Sequence, residues 1–526
     1  MMHSVRSRRG MVTSPHYLAS QAGLDILKDG GNAIEATVAV ASALAVVYPH
    51  MTGIGGDGFW LIHEPDGRIH AIDACGAAAK AATLDFYRSC KTISTRGSWA
   101  ANTMAGTISG WQAALESVGG TLPLERLLRD AIHFAEAGVP VTKGGAQVFK
   151  EKGPELSVQQ GGWGWTYMRD GRAPREGELM VQPHLGETLR RLVAEGLDSF
   201  YRGALADEMA VTLGHVDSPL VIADFHAHRA TRPDPLHLRL AGIDLYNTAP
   251  PTQGMASLLI LALAERLPAS LPDTFPHIHG LVEATKRAFR YRDEHVGDPA
   301  YMTVDPQALL DDAAALDAMA AGIDMKQALP WPEPAQPGDT CWFGAADGEG
   351  RVVSSIQSTY FEFGSGVTLY DHGVTWQNRG ASFRLAESGW NALRPGRKPF
   401  HTLNPALARF DDGRVMAYGT MGGEGQPQTQ AAIFSRYARF GMNLQEAISR
   451  PRWLLGRTWG EESTTLKIER GYPQDVVDRL IKADHFVEMV MPNNSAMGHA
   501  GALVRHPDGG LEGATDPRSD GQVAAW

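Results

Sequence analysis

The stretch QPGDTCWFGAADGEGRVVSSIQST (residues 336–359) places a threonine at the start of a predicted strand, directly after a proline-rich segment. Proline cannot continue a helix, and four prolines come before this threonine: Pro330, Pro332, Pro334 and Pro337. The residues that follow predict two strands, TCWFGAA and RVVSSIQSTY, which a turn at residues 347–350 connects. The sequence therefore predicts an accessible linker that ends at Thr340.

A threonine in this position has a specific chemical use. Its hydroxyl is a weak nucleophile unless a base lies beside it, and the α-amine of an N-terminal threonine is such a base, with an ordinary pKa of about 7.7–8.0. An enzyme of this kind is made as a precursor and cut immediately before the nucleophile. Cleavage between Asp339 and Thr340 would give fragments 1–339 and 340–526. Taken alone, the pattern favours an interdomain linker and an ordinary strand threonine, and the rest of the chain is needed to favour a nucleophile.

Composition narrows the class of protein. The chain has 526 residues, 43% of them hydrophobic and 20% charged, which is typical of a soluble protein with two domains or one large two-lobed unit. The net charge of −11 opposes binding to nucleic acid. Three cysteines without motif spacing favour a reducing compartment. The longest apolar run is too short to cross a bilayer and no signal peptide is evident, so we expect a cytoplasmic protein without a membrane partner.

The order of predicted elements indicates a layered fold. Two helices come first, PHYLASQAGLDILKDGG (residues 15–31) and a buried helix from Ala33 to Val47 that Asn32 and Glu35 cap. A hairpin follows at residues 59–73. A mostly helical region extends from about residue 85 to residue 327, strands with glycine turns follow Thr340, and helices return near residues 428–440, 444–449 and 473–483. This order predicts strands packed between helical layers.

A glycine-rich loop lies between the second helix and the hairpin. Gly53, Gly55 and Gly58 match the G-x-G-x-x-G pattern of dinucleotide-binding proteins. That site requires a strand before the loop and a helix after it, because the helix N-terminus binds the phosphates. Here a helix precedes and a hairpin follows, so the pattern does not predict a nucleotide cofactor.

Seven segments together resemble the γ-glutamyltransferase family of N-terminal-nucleophile (Ntn) hydrolases, and they occur in the order of that family. They are GGNAIEATVAVASALAVVYPHMTGIGGDGF, PPTQGMASLLILAL, RYRDEHVGDP, DTCWFGAADGEG, FGSGVTLYDHGVTWQN, YGTMGGEGQPQTQ and GATDPRSDG. The resemblance implies an α+β fold, the four-layer αββα sandwich of Ntn hydrolases with a helical lobe. It also implies a precursor that cuts itself, an acyl-enzyme on Thr340, no metal or other cofactor, and an assembly that is either a heterodimer of the two fragments or a dimer of such heterodimers.

The resemblance also assigns roles to three other positions. By the matching motifs, Ser358 holds the amine of the nucleophile, and the backbone N–H groups of Gly422 and Gly423 form the oxyanion hole. A glycine loop after a strand suits that role, since backbone N–H groups can point at a developing oxyanion. Losing one such donor typically costs about 3–4 kcal/mol of barrier.

Departures from the family pattern bear on the substrate. γ-Glutamyl enzymes carry an Arg-Glu pair after the early hairpin, where this chain has Cys75 and Gly76. Arg379 stands at the position whose side chain contacts the substrate ammonium in those enzymes. Ser382 stands at a nearby position where those enzymes have an aspartate. A guanidinium repels an ammonium but binds a carboxylate through charge-assisted hydrogen bonds. We therefore expect an anion site, with five substrate-binding candidates: Tyr360, Asn378, Arg379, His401 and Thr402.

A pocket of this kind predicts a short amide that carries a carboxylate and no α-amine. Within the family, the chain most resembles members that hydrolyse oxamate to oxalate and ammonia late in purine nitrogen catabolism. The alternative is a γ-glutamyl hydrolase or transpeptidase that acts on glutathione-like substrates. A non-catalytic family member that only binds ligands is a third hypothesis, for which the sign would be an intact chain.

Two other features suggest different chemistry. His226 and His228 would lie on one face of a strand and suggest a metal-dependent amidohydrolase, but no acidic partner cluster accompanies them, and surface histidines are the simpler interpretation. Cys341 follows Thr340 and resembles a catalytic thiol. Because side chains alternate along a strand, we expect it to point away from Thr340 and to contribute only to packing.

Overall fold

The computed structural model describes residues 3–117, 120–331, 338–456 and 463–526. Sixteen α-helices lie in these ranges. They are α1 Tyr17–Lys28, α2 Ala33–Val47, α3 Thr107–Glu116, α4 Leu124–Ala137, α5 Lys143–Leu156, α6 Trp163–Tyr167, α7 Pro183–Glu195, α8 Ala204–His215, α9 Ile222–Ala227, α10 Gly254–Glu265, α11 Phe275–His295, α12 Pro306–Asp311, α13 Ala313–Ala321, α14 Gly425–Phe434, α15 Leu444–Ser449 and α16 Gln474–Lys482. Within the described ranges, no helix is both long and apolar enough to span a bilayer.

Twenty strands lie between and beside these helices. They are β1 Val5–Ser7, β2 Gly10–Ser14, β3 Asp57–His63, β4 Ile69–Ala74, β5 Val139–Pro140, β6 Leu179–Met180, β7 Leu236–Leu240, β8 Ile243–Asn247, β9 Asp339–Asp347, β10 Val352–Tyr360, β11 Thr368–Leu369, β12 Val374–Thr375, β13 Ala406–Phe410, β14 Val415–Thr420, β15 Trp453–Leu455, β16 Leu466–Glu469, β17 Val487–Val490, β18 Ala500–Arg505, β19 Leu511–Thr515 and β20 Gln522–Ala525.

Two antiparallel sheets form the centre of the molecule. Sheet A has seven strands in the order β1-β19-β18-β14-β13-β8-β7, and sheet B has six in the order β20-β2-β9-β10-β3-β4. Strands from before and after Thr340 occur in both sheets. In sheet B, for example, β9 lies between β2, from the first part of the chain, and β10, from the second. A cut before Thr340 would therefore leave two fragments that share both sheets.

Three apolar layers separate four layers of secondary structure. Helices α1, α2 and α3 pack on the outer face of sheet B, and α10 and α14 pack on the outer face of sheet A, with α11 packed against those two helices. The layer between the sheets contains Phe59, Trp342 and Ile356 from sheet B, with Leu407 and Leu503 from sheet A. This arrangement confirms the predicted α+β sandwich of four layers.

Trp342 fixes how the two sheets meet near the start of β9. It is 2% exposed, and its indole N–H donates to the hydroxyl of Ser354 at 3.0 Å. A β-carbon on Gly419 or Gly501 of sheet A would lie 2.2 Å or 2.4 Å from the indole ring. A side chain at either glycine would therefore clash with the indole. Because glycine has no side chain, the ring can fill the space between the two sheets.

The early elements agree with the sequence predictions. Asn32 Oδ1 accepts from the N–H groups of Ile34 and Glu35, while a carboxylate oxygen of Glu35 accepts from the Asn32 N–H at 2.9 Å. The predicted capping box and the buried second helix are thus confirmed. The loop that contains Gly53 leads into β3 and a hairpin, and not into a helix. The surroundings that a dinucleotide site requires are therefore missing from this described part of the chain.

The middle of the chain differs from the prediction in one respect. The region from residue 85 to residue 327 is mostly helical, but it also contains the hairpin β7–β8, which forms one edge of sheet A. Its two strands have five residues each, and a short turn joins them, so the pattern is weak beside the long amphipathic helices around it. The strands after Thr340 and the helices near residues 428–440, 444–449 and 473–483 are confirmed. Most of the predicted linker, residues 332–337, lies outside the described residues.

Candidate active site

Thr340 lies near the start of β9, in the middle of sheet B. It is 1% exposed. Cys341 belongs to the apolar layer beneath the helices and Trp342 to the layer between the sheets. Because alternate residues of a strand share a face, Thr340 lies on the side of sheet A, as Trp342 does. The prediction that Cys341 only packs is thus confirmed. The side-chain amide of Gln426 lies 3.4 Å from the Thr340 hydroxyl.

Strand β10 brings a bulge next to Thr340. Gln357 pairs with Cys341, but the next pair joins Tyr360 to Asp339, so Ser358 and Thr359 together lie opposite Thr340. Within the bulge, the Ser358 hydroxyl accepts from the Tyr360 N–H at 2.7 Å. Tyr360 has φ +84°, a conformation that residues other than glycine rarely adopt. The bulge thus places Ser358 opposite Thr340 and turns Tyr360 away from the regular strand.

The paired glycines lie against the chain that enters Thr340. Gly422 and Gly423 follow β14 with φ values of +118° and +50°. A β-carbon on Gly423 would lie 3.0–3.2 Å from backbone atoms of Gly338, two residues before Thr340. The Gln253 amide donates to the Gly423 carbonyl at 2.8 Å and fixes the loop. The backbone next to the predicted cleavage point therefore packs directly on the predicted oxyanion loop.

Arg379 is a buried cation with unused hydrogen-bond donors. It is 1% exposed, and its Nη1 donates to the Thr402 hydroxyl at 3.2 Å. Its guanidinium carbon lies 3.6 Å from the centre of the Tyr360 ring. Its Nε and Nη2 have no hydrogen-bond partner among the described residues. Burial lowers the pKa of Arg379 to about 10, which leaves the guanidinium charged at neutral pH. A buried guanidinium with two unbonded N–H donors and no ion pair among the described residues is costly, so this arrangement suits an anionic ligand.

Asp57 connects the loops around Arg379, and the sequence analysis did not identify it. One carboxylate oxygen accepts from the backbone N–H groups of Gly76 and Gly106 and from the side-chain amide of Gln377, at 3.0, 3.1 and 3.0 Å. The other oxygen lies 3.1 Å from Nε2 of His401. Burial raises the pKa of Asp57 to about 7 against the effect of these hydrogen bonds. An acid at the end of a glycine-rich loop was the signal that could have identified it.

His401 and Asn378 have their polar atoms bonded within the protein. Nδ1 of His401 accepts from the Leu403 N–H at 3.3 Å, so we assign the ring proton to Nε2, which donates to Asp57. Burial, and then the charge of Arg379, lower the pKa of His401 well below its usual value, so the ring is neutral. The Asn378 amide bonds the backbone of Thr95 and Phe361. Of the five predicted binding residues, Arg379 contacts both Tyr360 and Thr402, while His401 and Asn378 hold adjacent loops.

A group of buried amides on the side of sheet A contacts Thr340, and the sequence analysis missed it. The Gln426 carbonyl accepts from the backbone and side-chain N–H groups of Asn404 at 3.2 and 3.1 Å, which directs its amide nitrogen at Thr340. Ser257 donates to the Asn404 carbonyl oxygen at 2.8 Å. A serine inside an apolar helix was the signal that something polar lies opposite.

The donor groups of two buried clusters do not suit a metal ion. Donor atoms of Asp57, Cys75 and His401 lie within 4.8 Å of one another, but the positive charge of Arg379 acts on all three. In the second cluster, His279, Glu283 and His485, a buried lysine ammonium already lies 2.7 Å from the Glu283 carboxylate. A divalent cation would compete with a fixed cation at either place.

The histidine pair suggested by the sequence does not lie on a strand. His226 is an exposed residue of α9. His228 follows that helix, is 8% exposed and bonds the hydroxyl of Ser109 at 2.8 Å. The interpretation of both as surface histidines is therefore wrong for His228, which packs in the interior because a serine satisfies its ring nitrogen.

Known proteins resemble this chain over its whole length. The family model described as Gamma-glutamyltranspeptidase matches residues 19–526. The oxamate amidohydrolase proenzyme of Klebsiella pneumoniae is 53% identical over 530 residues, covering 100% of both chains. A glutathione hydrolase-like proenzyme of Bacillus subtilis is 40% identical, covering 99% of each. The crystal structure of a cephalosporin acylase from Bacillus halodurans matches with a TM-score of 0.93 at 33% identity, covering 100% of this chain and 97% of that one.

Proposed function

Because the chain belongs to the gamma-glutamyltranspeptidase family of Ntn hydrolases, we propose that it is a self-processing amidohydrolase that cleaves a small carboxylate-bearing amide, oxamate, to oxalate and ammonia. The observation that carries the choice of substrate is the buried guanidinium of Arg379, two of whose nitrogens lack a partner among the described residues. A relative that is 53% identical bears the name oxamate amidohydrolase, which supports the same choice. The reaction would belong late in purine nitrogen catabolism.

The chemistry would begin with self-cleavage between Asp339 and Thr340. Fragments 1–339 and 340–526 would remain together as a heterodimer, since both contribute strands to both sheets. Cleavage would convert the backbone nitrogen of Thr340 into an α-amine, the base that its hydroxyl needs. Ser358, opposite Thr340 in the bulge of β10, is placed to accept a hydrogen bond from that amine.

Hydrolysis would then proceed through an ester of Thr340. The Thr340 oxygen attacks the amide carbon while the α-amine takes the hydroxyl proton, and the N–H groups of Gly422 and Gly423 bind the tetrahedral oxyanion. The amine returns the proton to the departing ammonia, which leaves an oxalyl ester. Water, deprotonated by the same amine, attacks this ester and releases oxalate. The contact of Gly423 with Gly338 supports these roles, because Gly338 comes just before the Asp339–Thr340 bond that we propose is cut.

The site favours a carboxylate over the α-amino acid end of a γ-glutamyl group. An ammonium beside Arg379 would meet a like charge inside the protein, whereas a carboxylate would satisfy its two free nitrogens. The turn that carries an Arg-Glu pair in γ-glutamyl enzymes is closed here. A β-carbon on Gly76 would lie 1.5 Å from the carbonyl oxygen of Met104, so no larger residue fits at that position. We therefore assign substrate recognition to Arg379 and Thr402, with Tyr360 as the support for the guanidinium.

The decisive test compares two substrates on one purified sample. Ammonia release from oxamate and anilide release from a γ-glutamyl anilide are measured side by side after processing has been verified by mass spectrometry. We expect oxamate to be hydrolysed at a much higher kcat/KM. A higher kcat/KM for the anilide would identify a γ-glutamyl hydrolase or transpeptidase instead, and an intact chain without activity on either would indicate a binding protein.

A further inference from the structure

Asp57 holds together the three loops that surround Arg379. It accepts hydrogen bonds from Gly76, from the side chain of Gln377 two residues before Arg379, and from His401 next to Thr402. Its own side chain is completely buried. Two of these loops carry Arg379 and Thr402, and the same carboxylate bonds the turn at Gly76, so one side chain determines how the three loops fit together.

Asp57 also supplies the negative charge that acts on Arg379. Within the described ranges, no carboxylate forms an ion pair with Arg379, and the carboxylate whose charge stabilises the guanidinium is that of Asp57. The hydrogen-bond donors of Asp57 come from other groups, so it balances the charge without occupying the free Nε and Nη2 of Arg379. Those two nitrogens stay available to a ligand.

We propose that Asp57 is the counter-ion and positioning residue of the anion site, and that its charge determines how tightly the site binds a carboxylate. This inference rests on the proposed function, because the ligand is the carboxylate of the proposed substrate and product. An ionised Asp57 competes with that carboxylate for Arg379 through space. When Asp57 is protonated, the guanidinium interacts with the ligand alone, and the ligand binds more tightly.

Proton uptake should therefore accompany anion binding near neutral pH. The groups that face Asp57 keep their charge in this range. Burial lowers the pKa of His401 and raises that of the Cys75 thiol, so both are neutral, and burial likewise keeps Tyr201 protonated. Asp73 is paired with Lys398 at 2.6 Å. Asp57, with a pKa raised to about 7, is the buried group of this cluster that titrates there.

The experiment measures oxalate binding to the processed enzyme by calorimetry, in two buffers of different ionisation enthalpy, from pH 6 to pH 8.5. We expect the wild-type protein to take up protons on binding near pH 7, and its affinity to rise on the order of tenfold as the pH falls across that value. Asp57→Asn, which keeps the shape and removes the charge, should lose this step. Any proton uptake that persists near pH 8 belongs to the α-amine of Thr340.

Asp66→Asn is the matched control. It makes the same exchange in the exposed turn between β3 and β4, where the side chain is 52% exposed, and it should leave the pH dependence unchanged. The inference would be overturned if the oxalate affinity of the wild-type protein did not change with pH near 7. It would also be overturned if Asp57→Asn kept the change in affinity that the wild-type protein shows. The wild-type measurement decides this even if Asp57→Asn does not fold. Failure of the wild-type enzyme to hydrolyse oxamate while oxalate still binds would overturn the proposed substrate and leave the role of Asp57 intact.

Discussion

The Tyr360 ring stacks on the guanidinium of Arg379, whose central carbon lies 3.6 Å from the ring centre. The edge of the same ring contacts the chain that leads to Thr340, since a β-carbon on Gly338 would lie 3.1 Å from Tyr360 Cε2. The ring of Tyr360 therefore lies between the guanidinium of Arg379 and the chain just before the predicted cleavage point.

Replacing Arg379 should weaken substrate binding selectively. A hydrogen bond between charged groups contributes roughly 1.5–3 kcal/mol, so Arg379→Gln should lower kcat/KM for oxamate by about tenfold to a hundredfold, mainly through KM. Arg379→Lys keeps the charge but cannot bond two oxygens in a plane, and it should fall between wild type and Arg379→Gln. Arg384→Gln, on an exposed arginine of the same loop, is the control. Equal KM values in all variants would show that Arg379 does not bind the substrate.

Replacing Thr340 should abolish processing as well as activity. Thr340→Ala has no hydroxyl to attack the preceding peptide bond, so a denaturing gel should show one chain in place of fragments 1–339 and 340–526. Cys341→Ala is the paired control, because Cys341 points into the helix-side core. It should be cut and active, with a loss of stability that reflects the removed sulfur. Cleavage of Thr340→Ala at the same bond would refute self-processing.

Features that depend on short local motifs were predictable from the sequence. Position 340 follows a proline-rich segment and precedes an alternating strand, and the capping residues of α2 stand at fixed spacing. The order of the elements predicted strands packed between helical layers, and the four-layer sandwich was implied by the resemblance to the family. The bulge at Ser358 was not predictable, because it depends on how β10 pairs with β9, and β-pairing register is not written in either strand alone.

The hydrogen bonds that support the proposed anion site were also not predictable from local sequence patterns. Asp57 receives hydrogen bonds from residues 19, 49, 320 and 344 positions away in the chain. No spacing rule connects such residues, and an acid in a glycine loop has many possible partners. The assignment of His401 and Asn378 to the substrate came from their neighbours in the motif. The structure shows that their polar atoms bond to the protein, which only the three-dimensional arrangement could reveal.

The loop at Gly423 should not accept a side chain. Gly423→Ala would put a methyl group 3.0–3.2 Å from the backbone of Gly338 and would strain a residue at φ +50°. We expect impaired cleavage before Thr340 and a fall in kcat of at least tenfold in any processed enzyme, because the oxyanion loop would move. Gly441→Ala controls for backbone strain, since Gly441 has φ +65° and open space around it. Normal cleavage and kcat in Gly423→Ala would exclude this loop from the oxyanion hole.

Stability should fall as the pH is lowered below about 6.5. Burial lowers the pKa to about 3 for five histidines: His16, His50, His228, His277 and His485. The unfolded chain binds protons at these side chains near pH 6.5 and the folded protein does not, so each contributes stability that is present above that pH and lost as the pH falls towards 3. The maximum slope is about 1.4 kcal/mol per pH unit for each histidine. Asp57 acts in the opposite direction, because its raised pKa means that the folded protein binds its proton first, but it is one group against five.

The measurement is the midpoint of thermal unfolding between pH 8 and pH 5. His277→Gln tests one member of the set, because glutamine can retain a hydrogen bond to the Ser435 hydroxyl, which lies 2.9 Å from Nε2 of His277. This variant should show a shallower loss of stability with acid than the wild type. His133→Gln, at an exposed position of α4, should follow the wild-type curve. The prediction would be wrong if the unfolding midpoint rose as the pH was lowered from 6.5 to 5. That result would mean that the buried histidines accept protons in the folded state, with polar groups or water beside their rings.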